Sequence, residues 1–453
     1  PGLWFKLSVM MFLQLFIWGA WFELGFDYIP SLGFGPWGLW AIFSAFNFGA
    51  LVALFFSTQF ADRKFAAEKF MAFSHLVGGV AILGLYFITG DKANPAPFWP
   101  FFGLMLLHAI LYVPTISIAN SIAFANLRDP AREFGPVRVW GTVGWIAASW
   151  PFIFLLADWG KVPAIQQVGP VDWLGAVFGN SLEGRELRDG QRTIFLVAGA
   201  ASLLLAGFSL SLPHTPPRPA TGDDSLAWLK AMKLLRHPFV LVLFVVTFID
   251  SAVHGSFFYW TASFLGPREN GGVVNVPANW VSPVMKIGQV AEILTMLVLG
   301  YVLTRFGWRL TMTLGVLGHA ARFAVFAYYP EPWAAVLVNV VHGVCYAFFF
   351  ATVYIFVDEY FPKDVRASAQ GLFNVLILGV GPFVANFACG RLEALHKVTN
   401  AAGVSTVDFS ALYQYSMGAA LAGAVILAVF FTPRKPVEEP TFSHVEADAP
   451  PTP

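Results

Sequence analysis

Long apolar runs follow one another along almost the whole chain, with short polar breaks between them. An apolar helix of about 20 residues crosses roughly 30 Å of hydrocarbon, so each run of that length predicts one membrane-spanning helix. The pattern therefore predicts an all-α protein embedded in a lipid bilayer. Its twelve predicted spans are residues 7–29, 38–59, 70–89, 98–124, 136–157, 193–212, 239–265, 280–303, 310–329, 333–356, 367–390 and 409–431.

One polar connection divides these spans into two sets of six. It is first proline-rich, then acidic and then basic, and its stretch 225–236 is amphipathic with Ser225 as a candidate N-cap. We expect a cytoplasmic surface helix here. The proline- and glutamate-rich end of the sequence predicts a disordered cytoplasmic tail. The predicted units are an N-terminal six-helix half at 1–213, a linker at 214–237, a C-terminal six-helix half at 238–432 and the tail at 433–453.

The composition agrees with a membrane setting and argues against several other classes of protein. Charged residues make up 12% of the chain, against about 25% in soluble domains. The formal net charge of zero gives no reason to expect a nucleic-acid partner. Cys345 and Cys389 both fall in apolar runs, so we expect no disulfide, no metal site and no other cofactor. The expected oligomeric state is a monomer.

Lysine and arginine are distributed unevenly over the loops. With the N-terminus placed inside, the predicted inner loops hold about twice as many of these residues as the outer loops. Half of the outer basic residues lie in one long loop, 158–192, where the positive-inside rule has little force. We therefore expect a multi-pass protein of the inner (plasma) membrane with both termini in the cytoplasm.

The two predicted halves repeat each other weakly. FADRKFAAEKF at 60–70 follows the second span, and LTRFGWRLTM at 303–312 follows the eighth. EFGPVRVWGTVG at 133–144 enters the fifth span, and FPKDVRASAQG at 361–371 enters the eleventh. Many transporters are built from such repeats and bind their substrate near the membrane midplane, between the halves.

The eighth predicted span carries polar residues in an otherwise apolar run. Gln289 and Glu292 are three residues apart and therefore share one face of a helix. A carboxylate in mid-membrane costs roughly 2.5 kcal/mol or more, so this face is expected to line the bundle interior or a hydrated cavity. Dehydration favours the protonated carboxyl group, which makes Glu292 the leading candidate for a proton carrier. The alternative is a buried glutamate that only ties helices together.

The fifth predicted span places Arg138, Thr142 and Trp145 on one helix face. Arginine offers forked donors, threonine offers a donor and an acceptor, and tryptophan offers a flat surface for stacking. Together these side chains predict a substrate-binding surface. The alternative for Arg138 is an anchor at the cytoplasmic end of its helix, matching Arg366 in the repeat.

Two further pairs in the C-terminal half have a spacing of four residues. Asp250 and His254 could pair and supply a second proton-coupling group, since histidine changes charge near neutral pH. The alternative is a structural polar pair. His342 and Tyr346 are predicted to face the substrate cavity, with aromatic core packing as the alternative. His319 is interpreted as a lone polar residue in a helix–helix hydrogen bond.

Charged residues cluster at the predicted cytoplasmic ends of the spans. Asp62 and Arg63 follow the second span, and Asp358 and Arg366 flank the polar break before the eleventh. Such charges can pair across loops and hold one conformation closed, and breaking the pairs would accompany rocking of the halves. We therefore predict a gating role for these four residues.

Twelve spans, a central linker and an Asp-Arg loop resemble the major facilitator superfamily, and six strings resemble its nucleoside:proton symporter family more specifically. Most of the chain takes part, in order. The strings are FLQLFIWGAWFELG (12–25), ADRKF (61–65), PVRVWGTVGW (136–145), GQVAEIL (288–294), RFAVFAY (322–328) and VRASAQGLF (365–373).

The resemblance implies two pseudo-symmetric six-helix halves and import of nucleosides by proton symport with alternating access. It also implies substrate contacts from Arg138, Thr142, Gln289 and Glu292, with Trp145 as an aromatic partner for the base. Ribose recognition, base-edge recognition and an aromatic platform are what a nucleoside requires of a binding site.

The sequence departs from the family at two places. The seventh span, IDSAVHGSFFYW, lacks the glutamine and asparagine that the resemblance leads us to expect, and Ala347 stands where relatives commonly place an aspartate. A carrier for another small polar solute, with or without proton coupling, therefore stays open as the alternative. The sequence contains no H-E-x-x-H or G-x-S-x-G motif and no Cys-His constellation, so we do not expect an enzyme.

Overall fold

The structure, a computed structural model, describes residues 2–56, 65–217, 232–361, 363–399 and 405–433. Nine helices in these ranges are long and apolar enough to cross a membrane. One of them, Ala278–Tyr328, breaks at Gly307, where a φ of +70° is the left-handed conformation that glycine tolerates, so it supplies two crossings. The shorter helix Pro36–Phe56 and the interrupted fifth span supply two further crossings. The described helices therefore agree with the predicted twelve spans.

The fifth span is the interrupted one in the N-terminal half. Asp129 caps its start by accepting a hydrogen bond from the Arg132 amide at 3.4 Å, and a proline follows at the first helical position. Two helices in the loop after it, Ile165–Gly179 and Gly184–Gln191, are additional to the predicted elements. The first six spans are Gly2–Ser31, Pro36–Phe56, Ala67–Leu85, Phe98–Asn126, Pro130–Ala147 with Trp150–Leu155, and Thr193–Ser209.

In the C-terminal half, the tenth and eleventh spans each contain one π-helical turn, Tyr346–Ala351 and Val375–Val380. Such turns occur frequently at functional sites. Two short antiparallel strands, Lys397–Thr399 and Ser405–Val407, join the last two spans. The helices of this half are Pro238–Leu265, Ala278–Met285, Ile287–Tyr328, Pro332–Leu337, Val341–Cys345, Thr352–Tyr360, Lys363–Asn374, Gly381–Leu395 and Phe409–Phe430, with a 3-10 turn at Val338–Val340.

The spans pack in the same pattern in both halves. The first packs on the fifth and sixth, the second on the fourth, and the third on the sixth. In corresponding fashion, the seventh packs on the eleventh and twelfth, the eighth on the tenth, and the ninth on the twelfth. This correspondence is what two similar six-helix halves require.

Two glycines bring the functional spans into backbone contact. A Cβ atom added at Gly144 of the fifth span would collide with the carbonyl oxygen of Phe12 in the first span. A Cβ atom added at Gly343 of the tenth span would collide with the Glu292 amide nitrogen in the eighth. Small residues allow such close approach of membrane helices. The helix faces that carry Arg138 and Glu292 are held in place by these contacts.

Side chains join the two halves at one end of the bundle, where the first span ends at Ser31; we call this the Ser31 end. Ser263 of the seventh span donates to Asp27 of the first at 2.9 Å. The Asn279 amide, at the start of the eighth span, donates to the carbonyl oxygens of Ile153 and Val177 at 3.3 and 3.1 Å.

Near the middle of the bundle the second and eleventh spans also meet. The Asn47 amide donates to the Leu378 carbonyl oxygen at 2.9 Å, and the Asn386 amide donates to Asn47 Oδ1 at 3.0 Å. The halves are therefore tied together from the middle of the bundle to the Ser31 end.

Most of the predicted linker helix, and the tail after residue 433, lie outside the described residues. Of the stretch 225–236 the structure describes only 232–236, which contains the 3-10 helix Leu234–Arg236. The bounds that we predict for the halves, the linker and the tail therefore stay a prediction.

Candidate functional site

The polar face of the eighth span is turned towards the N-terminal half. Lys286, one turn before Gln289, places its ammonium nitrogen 4.0 Å from the centre of the Trp145 ring. One turn after Gln289, the Glu292 carboxyl group lies within electrostatic range of the Arg138 guanidinium. Gln289 is buried between these two contacts. The face therefore meets the fifth span between the halves, where a transported substrate would pass.

Three spans contribute polar groups to one place. Arg138 of the fifth span and Glu292 of the eighth lie within electrostatic range of Tyr346 in the tenth. All three are half-buried, as is Thr142, one turn from Arg138. A guanidinium, a carboxyl group and two hydroxyl groups supply donors and acceptors for a small polar molecule. The structure thus brings Arg138, Glu292 and Tyr346 together, with Thr142 one helical turn from Arg138.

Trp145 is the most enclosed residue of the predicted fifth-span surface, with 8% of its area exposed. Its ring lies edge-on to Trp18, with the ring centres 5.2 Å apart. The Lys286 ammonium covers one ring face, a favourable cation–π contact. A substrate can stack on that face only when Lys286 moves away, a condition that the sequence did not reveal.

Lys286 also forms a buried ion pair across the two halves. Its Nζ lies 2.9 Å from Glu23 Oε1 in the first span, and the two side chains are 2% and 0% exposed. Ser282 donates to the second carboxylate oxygen of Glu23 at 3.1 Å. Removing one partner of a buried pair typically costs about 3–5 kcal/mol, because the other charge is left without compensation. This pair therefore helps to hold the halves closed towards the Ser31 end.

Behind the site, the C-terminal half contains a buried polar group that we call the histidine cluster: Asp250, His254, His319, Arg322 and His342. Asp250 Oδ1 lies 3.6 Å from His319 Nδ1. The His254 ring stacks on His319 and His342, with ring centres 5.5 and 5.1 Å apart. The predicted pairing of Asp250 with His254 is therefore wrong, because His319 of the ninth span faces the carboxylate instead. The interpretation of His319 as a lone polar residue is also wrong.

The histidine cluster reaches the substrate site through His342. Arg322 Nη1 lies 2.8 Å from His342 Nδ1, and the Gln289 amide lies 3.2 Å from His342 Nε2. The Arg322 guanidinium also stacks over the Phe257 ring at 3.9 Å from its centre. His342 is thus buried behind Gln289. Its direct contact with a substrate, like that of Tyr346, stays a prediction.

The predicted gating residues are only partly described. Asp62 and Arg63 lie outside the described residues, and so does the side chain of Arg366. Asp358 lies in the helix Thr352–Tyr360 at the end of the tenth span. Ala347, where the sequence departs from the family, is fully buried in the π-helical turn of that span.

Comparison with known protein families decides the relationship. The model of the family described as Nucleoside H+ symporter matches residues 2–166 and 160–436, almost the whole chain. The chain belongs to this family. The expected major facilitator fold and the resemblance read from the sequence are both confirmed.

Two relatives in Escherichia coli are similar to this chain over most of their length. The xanthosine permease of Escherichia coli (strain K12) is 29% identical over 440 residues, which cover 93% of this chain and 94% of the permease. The nucleoside permease NupG of the same strain is 25% identical over 405 residues, which cover 86% of this chain and 88% of NupG. The crystal structure of nucleoside transporter NupG superimposes with a TM-score of 0.74 at 23% identity, covering 96% of this chain and 100% of that chain. The crystal structure of the D-xylose-proton symporter superimposes with a TM-score of 0.64 at 13% identity, covering 94% of this chain and 98% of that chain. These structural likenesses show the fold.

Two buried cations escaped the sequence interpretation, although both left a signal. Lys286 and Arg322 each stand inside a predicted apolar span. Ionisable residues at membrane depth are expensive and usually functional. That rule, which selected Glu292, selects these two residues equally well. Their partners, Glu23 and His342, become visible only when the spans are packed.

The Asp250→Asn substitution tests whether the histidine cluster takes part in proton coupling. We expect it to flatten the pH profile of uptake or to displace its optimum by about one unit, since a titratable group is removed. Uptake measured across external pH values provides the readout. The matched control is Asp172→Asn, an exposed position in the helix Ile165–Gly179. A profile identical to that of the control would remove Asp250 from the coupling machinery.

Proposed function

We propose that the chain imports nucleosides together with protons across the inner (plasma) membrane, by alternating access of the two halves. The observation that carries this proposal is the approach of Glu292 to Arg138 and of Lys286 to Trp145, between the halves of a nucleoside:proton symporter family member. The two Escherichia coli relatives are a permease for the nucleoside xanthosine and a nucleoside permease.

The chemistry of the site suits a nucleoside. Arg138 and Thr142 offer the donors and acceptor that ribose hydroxyl groups require. Gln289 stands where it can read a base edge, and Trp145 and Tyr346 offer aromatic surfaces for the base. Each of these contacts is a proposal that rests on placement within the site.

Glu292 is the proposed proton carrier. It is half-buried, and its charge partner Arg138 belongs to the other half. A proton on Glu292 and a nucleoside in the site can stabilise the same conformation, and each then raises the occupancy of the other by linkage. Asp250 and His254 are proposed as auxiliary groups behind the site.

The inter-half contacts suggest which conformation is present. If both termini lie in the cytoplasm, as the distribution of basic residues predicts, then the Ser31 end faces outwards. The Glu23–Lys286 pair would then close the outer side, leaving an inward-facing protein. In this proposal Asp62, Arg63, Asp358 and Arg366 close the opposite side in the other conformation.

A second candidate function is transport of another small polar solute, which the buried Ala347 favours because no acid stands there. Thermal-shift and binding measurements against purine and pyrimidine nucleosides, at two pH values, separate the two. We expect nucleosides to stabilise the protein in a pH-dependent manner, with sugars and amino acids unable to compete for labelled uridine or adenosine. Stabilisation by a sugar or an amino acid, with no response to nucleosides, would replace the proposed function by the second candidate.

A further inference from the structure

The contacts around His342 restrict what Gln289 can offer to a substrate. Both nitrogens of the His342 ring have a partner: Nδ1 faces Arg322 Nη1 at 2.8 Å, and Nε2 faces the side-chain amide of Gln289 at 3.2 Å. A guanidinium only donates hydrogen bonds, so Nδ1 must accept. Since a neutral imidazole carries one N–H group, the His342 proton is then on Nε2.

This tautomer decides the orientation of the Gln289 amide. A protonated Nε2 needs an acceptor, and the acceptor of a glutamine side chain is its oxygen. With the amide nitrogen against Nε2, His342 would have to accept at both ring nitrogens, as only an imidazolate anion can. The structure has Gln289 Nε2 against His342 Nε2 and leaves Oε1 without a partner among the described residues. The hydrogen bonds of His342 instead require the amide turned by 180°, with Oε1 towards His342 and the NH2 group on its other side. Turning the His342 ring instead would present C–H groups to both partners and lose both hydrogen bonds.

The opposite side of the Gln289 amide lacks a hydrogen-bond partner among the described residues. The amide atom on that side is buried. Along the same helix face, Lys286 contacts Trp145 of the other half, and Glu292 lies within electrostatic range of Arg138. The unpartnered position therefore lies on the side of the helix that meets the proposed substrate site.

We infer that Arg322, acting through His342, fixes Gln289 as a hydrogen-bond donor to the substrate, so that the site prefers nucleosides whose base carries an oxo group, and not an amino group, at C4 of a pyrimidine or C6 of a purine. This inference rests on the proposed function and deepens it. An oxo group accepts the bond from the Gln289 NH2 group, whereas an exocyclic amino group would oppose it with a second donor. Arg322 and His342 are positioning residues in this account, and Gln289 is the contact.

Two matched pairs of nucleosides test the inference on the purified full-length protein. The members of each pair differ at one base edge: uridine and inosine present an oxo group beside a ring N–H, whereas cytidine and adenosine present an amino group beside an acceptor ring nitrogen. We expect the oxo member of each pair to bind at least about tenfold more tightly, the usual effect of one good hydrogen bond against an unpaired donor. Equal affinities, or tighter binding of the amino members, would overturn the inference while leaving nucleoside transport in place. Binding of neither member would overturn the proposed function as well.

Two variants separate positioning from mere structural support. Gln289→Glu replaces the donor by an acceptor of the same shape, and we expect the preference to reverse towards cytidine and adenosine. Arg322→Met frees the His342 tautomer, so the ratio of oxo to amino affinities should fall towards about one. A purely structural role of Arg322 would lower both affinities by the same factor and keep the ratio. An unchanged ratio in Arg322→Met would contradict the inference, and so would an unreversed preference in Gln289→Glu. If Arg322→Met does not fold, the ratio of oxo to amino affinities in the wild type still tests the inference.

Discussion

The Glu292→Gln variant is expected to lose proton-driven accumulation of nucleoside while it still exchanges nucleoside across the membrane. Glutamine resembles the protonated carboxyl group in shape and hydrogen bonding but cannot release a proton, so substrate movement is uncoupled from proton movement. In liposomes, an inward gradient of one pH unit should drive about tenfold accumulation through the wild type at one proton per nucleoside. The variant should stop at about equal concentrations on the two sides.

The control for this experiment is Glu331→Gln, the same chemical change at an exposed position before the helix Pro332–Leu337. It should accumulate nucleoside as the wild type does. Retention of proton-dependent accumulation by Glu292→Gln would refute the role of Glu292. Exchange of labelled for unlabelled nucleoside, measured without a pH gradient, shows whether the variant still binds and moves its substrate.

The Lys286→Met variant is expected to be strongly destabilised in the conformation described here. It leaves the Glu23 carboxylate buried without a cation, at a cost of about 3–5 kcal/mol. We therefore expect a clear fall in the thermal denaturation midpoint of the purified protein. The double variant Glu23→Gln/Lys286→Met removes both charges and should recover most of the loss, as in a double-mutant cycle.

Lys161→Met provides the comparison for Lys286→Met. Lys161 pairs with Asp158 at 3.2 Å on the surface and is 51% exposed, and such pairs contribute about 0–1 kcal/mol. If Lys286→Met were no more damaging than Lys161→Met, or if the double variant were worse than the single one, the buried pair would not hold the halves together.

The arrangement of the spans could be predicted because a bilayer imposes it. Each crossing needs a long apolar helix, and this requirement is visible as a repeated run in the sequence. The helix spacing also grouped Arg138 with Thr142 and Gln289 with Glu292 on shared faces, and the structure brings these faces together. The helices Ile165–Gly179 and Gly184–Gln191 were missed because short helices in a loop lack a span-length apolar run.

The histidine cluster shows why the rest could not be predicted. Asp250 and His254 are one turn apart, which made them an obvious pair, yet the carboxylate faces His319 from another span. Helical spacing tells which residues share a face but not which face of another helix it meets. The same limit hid the Glu23–Lys286 contact, whose partners are separated by most of the N-terminal half and the linker.

The most direct test of the account is an experimental structure of the protein with bound uridine. We predict that the nucleoside lies between the fifth and eighth spans, with its base within hydrogen-bond distance of the Gln289 amide and its ribose within reach of Arg138. Uridine bound elsewhere, with Gln289 and Glu292 making no contact to it, would contradict the account.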